Sequence, residues 1–285
     1  MTPYAAEGRI RRSARLIGIA WDTIKRDRAM LALAALSTLF TLLGMLLIVK
    51  LAGWHHGHID RGRLLLAVAV SAYPLTFVGV FLNVALAAAA AASLDGRRID
   101  LFEALGIAME RIGQIALWSA LAAGVGVLLQ EIANRLPGGG RLASWALGAA
   151  WGLVTLFAVP ILALEGCGAI SCVKRSARLM RERWGEGISG TVAVNAAFGV
   201  VGGACGMLIA IGAAVAGGSG GPGGYFIAAV GVAGMLVSWT LASAVRQVFA
   251  VALYRYAVTG QPSGGFEEAD LKSPTVPKRG GFRPG

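Results

Sequence analysis

Few residues in this chain have the types and spacing that chemistry needs. Gly187-Ile188-Ser189-Gly190 sets a serine among small residues, as a nucleophile requires. Such a serine also needs a base to take its proton. The histidines are His55, His56 and His58, all within Trp54-His55-His56-Gly57-His58, with Asp60 close by. Their imidazoles could hold a metal ion, but the short cluster lacks the spaced partners of a closed zinc site. Cys167, Cys172 and Cys205 are odd in number and fit no zinc spacing, so they read as small packing residues. Gly217 to Gly224 is rich in glycine but lacks the Lys-Ser/Thr ending of a phosphate loop, and suits a tight hairpin. No catalytic, cofactor-binding or metal residue is assigned, and the chain reads as no enzyme.

The elements around these residues explain why. Of 285 residues, 56% are apolar and 14% charged, against about 25% charged in a typical soluble domain. The mean hydropathy is +0.67. The apolar residues fall into six runs, near 29–49, 64–92, 112–132, 142–164, 188–216 and 225–253. Each is long enough for a helix across a bilayer core, which takes about 20 residues. Pro74 lies inside the second run, where a kink or tilt is expected.

Twenty Lys and Arg residues flank these runs on one side and five on the other. That asymmetry places both termini in the cytoplasm. His55, His56 and His58 then lie across the membrane from Ser189, which separates base from nucleophile. The net charge of +11 also belongs beside anionic lipid, not nucleic acid, because no basic stretch carries a recognition motif.

Three cytoplasmic segments share an amphipathic stripe. The first holds Ile10, Ala14, Ile17, Trp21 and Ile24; the second Ile99, Phe102, Leu105, Met109 and Ile112; the third Val173, Ala177, Met180 and Trp184. Ser13-Ala14-Arg15-Leu16 matches Ser176-Ala177-Arg178-Leu179, and Phe157-Ala158-Val159 matches Phe249-Ala250-Val251. The pattern predicts a threefold repeat of one interfacial helix and one transmembrane hairpin. Two glycine pairs in the fifth run, Gly199 with Gly203 and Gly202 with Gly206, and Gly148 with Gly152 in the fourth, offer faces for helix packing or for a second copy of the chain.

Polar residues in or beside the runs are Asn83, Gln130, Glu131, Glu165, Asn195, Arg246 and Gln247. Glu165 and Arg246 both fall toward the cytoplasmic side and are expected to form a buried ion pair. Asn83 and Asn195 are expected to bond between helices.

Phe157 to Gly166, Lys174 to Leu179, Trp184-Gly185 and Val245 to Gly260, with Trp21, Lys25, Asp27 and Ser37, carry a likeness. Over about residues 9–262 the chain resembles a family of uncharacterised bacterial six-helix membrane proteins. It is distantly similar to the membrane domain of some bacterial glycerophosphodiester phosphodiesterases. That resemblance implies a six-span inner-membrane protein and transfers no activity, since the catalytic barrel of that enzyme is not in this chain.

The expectation is therefore an all-α, polytopic membrane protein. Residues 1–28 hold an amphipathic cytoplasmic helix, 29–257 a six-span domain and 258–285 a flexible tail. Its Arg, Ala and Gly content suits a bacterium with a GC-rich genome. The expected role is organising or sensing lipid or partner proteins at the cytoplasmic leaflet of the inner membrane. Arg11, Arg12, Arg15, Arg175, Arg178 and Arg181 are the candidate headgroup contacts. Membrane lipids, a second copy or another membrane protein are the expected partners. The alternative is a transporter or channel for a small solute, whose mark would be a polar cavity lined by Asn83 or Asn195.

Overall fold

Lipid offers no hydrogen-bond partners, so long apolar runs fold as helices whose backbone groups pair internally. The computed structural model describes residues 18–25, 27–51, 61–135, 140–184, 189–219 and 222–263, and every regular element among them is helical. A short helix α1 covers residues 18–25. It is followed by α2 (Arg28–Leu51), α3 (Arg61–Leu94), α4 (Leu101–Glu110), α5 (Ile112–Arg135), α6 (Gly140–Val154), α7 (Ala158–Glu165), α8 (Ala169–Trp184), α9 (Ser189–Ser219) and α10 (Pro222–Thr259). The histidine cluster, Arg11, Arg12, Arg15, Gly187 and the tail from residue 264 lie outside the described residues.

Five described stretches are long and apolar enough to cross a membrane: Arg28–Ile48, Gly62–Leu94, Ile112–Arg135, Ala146–Glu165 and Gly223–Thr259. A shorter apolar stretch, Val201–Ala216, lies in α9. This is compatible with a multi-pass membrane protein. Helix α3 runs without interruption through Pro74.

The fourth apolar run is not the single helix its hydropathy suggests. It breaks at Thr155–Phe157, between α6 and α7. Pro160 has no N–H for the carbonyl of Leu156, and its ring crowds that carbonyl. The chain tightens instead: Leu156 N bonds Leu153 O at 3.3 Å and Ala158 N bonds Thr155 O at 2.9 Å. The Ser176 hydroxyl, fully buried on α8, accepts the Phe157 N–H at 3.1 Å. Ser176→Ala would remove this buried hydrogen bond between α8 and the start of α7, at a cost of about 0.5–1.5 kcal/mol. Denaturant titration of the reconstituted protein should register a loss of that size.

Caps delimit the other short helix. Asp100 caps α4 through Oδ1, which accepts from Glu103 N at 2.6 Å. Arg111 ends α4, its N–H reaching Ala108 and Met109 carbonyls, and α5 starts one residue later.

Packing is uneven along the molecule. Helix α3 is the hub, touching α2, α4, α5, α7 and α10. From Val84 to Ala92 every residue is buried, so no face of that segment is free. Its alanines allow five neighbours to close in. Ala20 and Ile24 of α1, Met30 and Leu33 of α2, Phe157 to Ala163 and the end of α10 complete this core. Toward the opposite end the surface is apolar and open. Leu46 is 64% exposed, Leu66 65%, Leu128 64% and Phe226 71%. A soluble monomer rarely carries so much contiguous apolar surface. Lipid explains it, since tails solvate leucine as well as protein does.

Where helices approach in the open half, small residues allow it. The α9–α10 contact is the most extensive in the fold. A Cβ at Gly212 would sit 2.4 Å from Ala228 N, and one at Gly224 2.3 Å from Ala216 N. Of the two uses open to Gly199, Gly202, Gly203 and Gly206, packing inside the chain is not made: among the described residues nothing lies within 4 Å of where a Cβ would go. Gly148 meets only Leu129 Cδ1 at 3.9 Å and Gly152 meets nothing. The packing role in α9 thus belongs to the other side of the helix. Thr240 Oγ1 lies 2.8 Å from Thr38 Oγ1 and ties α10 to α2.

Candidate functional site

The charged residues gather at the packed end, where α1 meets α2 and where α3, α7 and α10 finish. Helix α7 stops at Gly166, whose φ of 64° is the left-handed cap conformation. The same glycine leaves room for Arg111, since a Cβ there would fall on the Arg111 guanidinium. The short 166–168 link then folds α8 back across the end of α10.

That fold-back decides the partner of Glu165. Arg175 Nε lies 2.7 Å from Glu165 Oε2 and 2.8 Å from Oε1, and the Tyr254 hydroxyl donates to Oε1. The expected Glu165–Arg246 pair does not form. Arg246 lies eight residues before Tyr254 on α10, about 12 Å along the axis. Its side chain instead lines a groove of about 470 Å³ with Gly199, Gly202, Ser238 and Trp239. Burial opposes the charge on Arg175, but its contacts with Glu165 outweigh this and hold the guanidinium pKa above its usual value.

A second pair closes the other side of α10. Arg255 grips Asp95 with both terminal nitrogens, Nη2 reaching Oδ2 at 2.6 Å. Asp95 stands at the turn after α3, which continues through Gly96 at φ 73°. The Arg255 hydrogen bonds hold the Asp95 carboxyl below its usual value, against a smaller opposing effect of burial. This fork between α3 and α10 is a bidentate, geometrically specific contact.

Three cavities open at this end. One of about 460 Å³ lies beside Glu165, Tyr254 and Arg255. One of about 240 Å³ is ringed by Arg97, Glu103, Glu110, Arg111 and Arg255. The largest, about 680 Å³, lies between the start of α2 and the start of α4.

Helix α8 carries the headgroup candidates. Ala169, Cys172 and Ser176 form its buried stripe, while Lys174, Arg178 and Arg181 are exposed. Val173, Ala177 and Met180, from the apolar stripe of the sequence, are half-buried beside that face. On α4, Ala104 and Ala108 face the protein, and Phe102, at 79% exposure, faces outward with Met109 and Ile112. Arg175 is engaged by Glu165, so of the three candidate arginines on α8 the outward, uncommitted ones are Arg178 and Arg181.

Cys167, in the 166–168 link, and Cys172, on the buried face of α8, bring their sulfurs to disulfide contact, and Cys205 is free. Asn83 donates its side-chain amide to Gly79 O in its own helix at 2.8 Å. The bond between helices runs to its backbone carbonyl, from Gln247 Nε2 at 3.3 Å. Glu131 pairs with Arg135 at the end of α5. Among the described residues no group of three His, Cys, Asp or Glu side chains could hold a metal ion.

Asp95 stands in no motif; Ser176 lies in the repeated Ser-Ala-Arg-Leu, and Tyr254 and Arg255 in the stretch that carries the resemblance, but neither pattern marks these side chains as partners. A weak sign existed for two of them, since Tyr254 and Arg255 share one helix turn at the end of a long apolar run, where polar groups must find partners.

No curated protein and no solved structure matches the chain. The sequence pattern of one family, described as of unknown function, matches residues 64–265, well over half the length. These residues include most of the α3 hub, the Glu165 and Asp95 pairs and helix α8. The chain belongs to this family of unknown function, DUF6159.

Proposed function

We propose that the protein is a non-enzymatic, six-span inner-membrane protein that grips lipid headgroups at the cytoplasmic leaflet. The observation that carries this reading is the fixing of α8. Its inner stripe is buried, Ser176 is bonded to Phe157, and Arg178 and Arg181 project from the opposite side. Two cations are thereby held at one depth on a rigid element, next to a core that anchors them. The order of a short helix followed by a hairpin, met at α1, α4 and α8, supports the threefold repeat. The excess of basic residues at this end supports cytoplasmic termini. In that orientation Cys167 and Cys172 face a compartment that keeps thiols reduced, so in the cell they are a dithiol. The distant likeness to the membrane domain of glycerophosphodiester phosphodiesterases fits a membrane location and brings no reaction with it.

Each basic residue near an anionic surface contributes about 1 kcal/mol. Replacing Arg178 and Arg181 by Gln together should therefore lower the preference for phosphatidylglycerol over phosphatidylcholine by about thirtyfold at low salt. Lipid competition in nanodiscs measures it. An unchanged preference in a variant with wild-type thermal stability would refute the reading. Transport is the weaker reading, because Asn83 spends its amide on its own helix.

A further inference from the structure

Cys167 stands in the 166–168 link between α7 and α8, and Cys172 closes the first turn of α8, where its N–H bonds the Gly168 carbonyl at 2.9 Å. The fold-back of α8 sets their Cα atoms 5.8 Å apart. Disulfides span about 4.4–6.8 Å between Cα atoms, so the bond forms without moving the backbone. The reduced form is accommodated as well. Cys172 Sγ lies 3.2 Å from the Cys167 carbonyl oxygen, which gives the buried thiol an acceptor. One backbone therefore serves both oxidation states.

The two thiols differ in access. Cys172 is fully buried, on the same face of α8 as Ala169 and Ser176. Cys167 is half-buried, and Glu165 and Gly168 on either side of it are exposed. A small oxidant thus meets Cys167 first. The charges around the link suit a thiolate, which is the form that reacts. The Arg111 guanidinium packs on Gly166, where a Cβ would fall on it. The carboxylate of Glu165 is already paired with Arg175.

We propose that Cys167 and Cys172 are a dithiol oxidised by hydroperoxides, and that its closure latches the start of α8 to the end of α7. The Cys167 thiolate attacks one peroxide oxygen. An S–O bond forms, the O–O bond breaks, and the hydroxide or alkoxide released takes up the proton that the thiol gave. Cys172 Sγ then attacks the Cys167 sulfur. The S–S bond forms, the S–O bond breaks, and the Cys172 proton leaves with that oxygen as water. The pair loses two electrons and the peroxide gains them. A dithiol reductant reverses the bond by attacking Cys167, the reachable sulfur. That the pair rests reduced follows from the cytoplasmic orientation proposed above, where such bonds are usually transient and redox-sensing. Closed, the pair adds a covalent tie beside the Ser176–Phe157 bond and the Glu165–Arg175 pair, on the helix that carries Arg178 and Arg181.

The test uses the full chain with Cys205→Ser, reduced in nanodiscs and then treated with hydrogen peroxide. The sample is denatured in N-ethylmaleimide, and its mass is measured. Before peroxide, two adducts should form. Afterwards none should form, the chain should be two hydrogens lighter than its reduced form, and a thiol reductant should restore both adducts. Two adducts after peroxide that fully oxidises dithiothreitol in the same buffer overturn the proposal. A gain of oxygen in place of the loss of hydrogens, or a bond between two chains, overturns it too. Cys172→Ser should stop at the Cys167 sulfenic acid, which dimedone captures; capture at Cys172 in Cys167→Ser overturns the order of attack. Amide hydrogen exchange reads the latch. Residues 170–176 should exchange about tenfold more slowly in the oxidised protein, as closure of a short loop implies. Unchanged exchange overturns the latch. None of these readouts depends on lipid preference or on orientation, so a failure of the headgroup reading is distinguishable from a failure here.

Discussion

Gly212→Ala should destabilise the protein, although alanine is the better helix former. The intrinsic gain is about 1 kcal/mol in a helix interior. Against it, the new methyl would lie 2.4 Å from Ala228 N and 2.7 Å from Gly224 O. Both are backbone atoms of the α9–α10 interface and cannot rotate away. The helices must separate along their closest approach, and overpacking of this kind costs about 1–3 kcal/mol or more. Gly203→Ala on the same helix meets no atom within 4 Å, so it should show the propensity gain alone. Unfolding of the two variants in an SDS titration separates the effects. Equal behaviour would mean that α9 does not pack on α10 through Gly212.

A larger loss is expected from Ala90→Leu. Ala90 is fully buried within the Val84–Ala92 segment of α3, where the neighbours on both sides in sequence are buried too. Leucine adds three carbons with no open face to receive them. Displacing several of the five surrounding helices should cost more than the usual 1–3 kcal/mol of a single overpacked site. Ala120→Leu, at an exposed position of α5, should be near neutral in the same assay. A folded Ala90→Leu variant of wild-type stability would contradict the assignment of α3 as the hub.

The sequence shows the helices plainly, because unbroken apolar runs in lipid have one backbone solution. Their packing is far less legible. In water, hydrophobic periodicity tells the inner face of a helix from the outer, but in lipid both faces are apolar. The stripe of Phe102 and Met109 on α4, with Ile112, faces outward, while the smaller Ala104 and Ala108 face the protein, a choice that apolarity alone does not show. Glycine spacing alone does not say which face packs inside the chain. Gly199 and Gly203 have the spacing of a packing motif, yet Gly212 and Gly224 make the approach. Glu165, at the end of an apolar run, needs a partner. Its partner depends on how the 166–168 link turns α8, and Arg175 arrives where Arg246 was expected. Pro160 gives the physical reason for the break within the fourth run, but that Ser176 satisfies the freed end depends on the tertiary fold.

The central claim is that hydrocarbon bathes the loosely packed half and that the charged end meets the headgroups. Nitroxide labels at Leu46, Leu66, Leu128 and Val230, one at a time in the reconstituted protein, test it most directly. Oxygen concentrates in lipid tails and a nickel chelate stays in water. All four positions should relax faster with oxygen, whereas a label at Arg178 should respond to nickel. Labels at Leu46 and Leu128 that respond to nickel and not to oxygen would contradict the account.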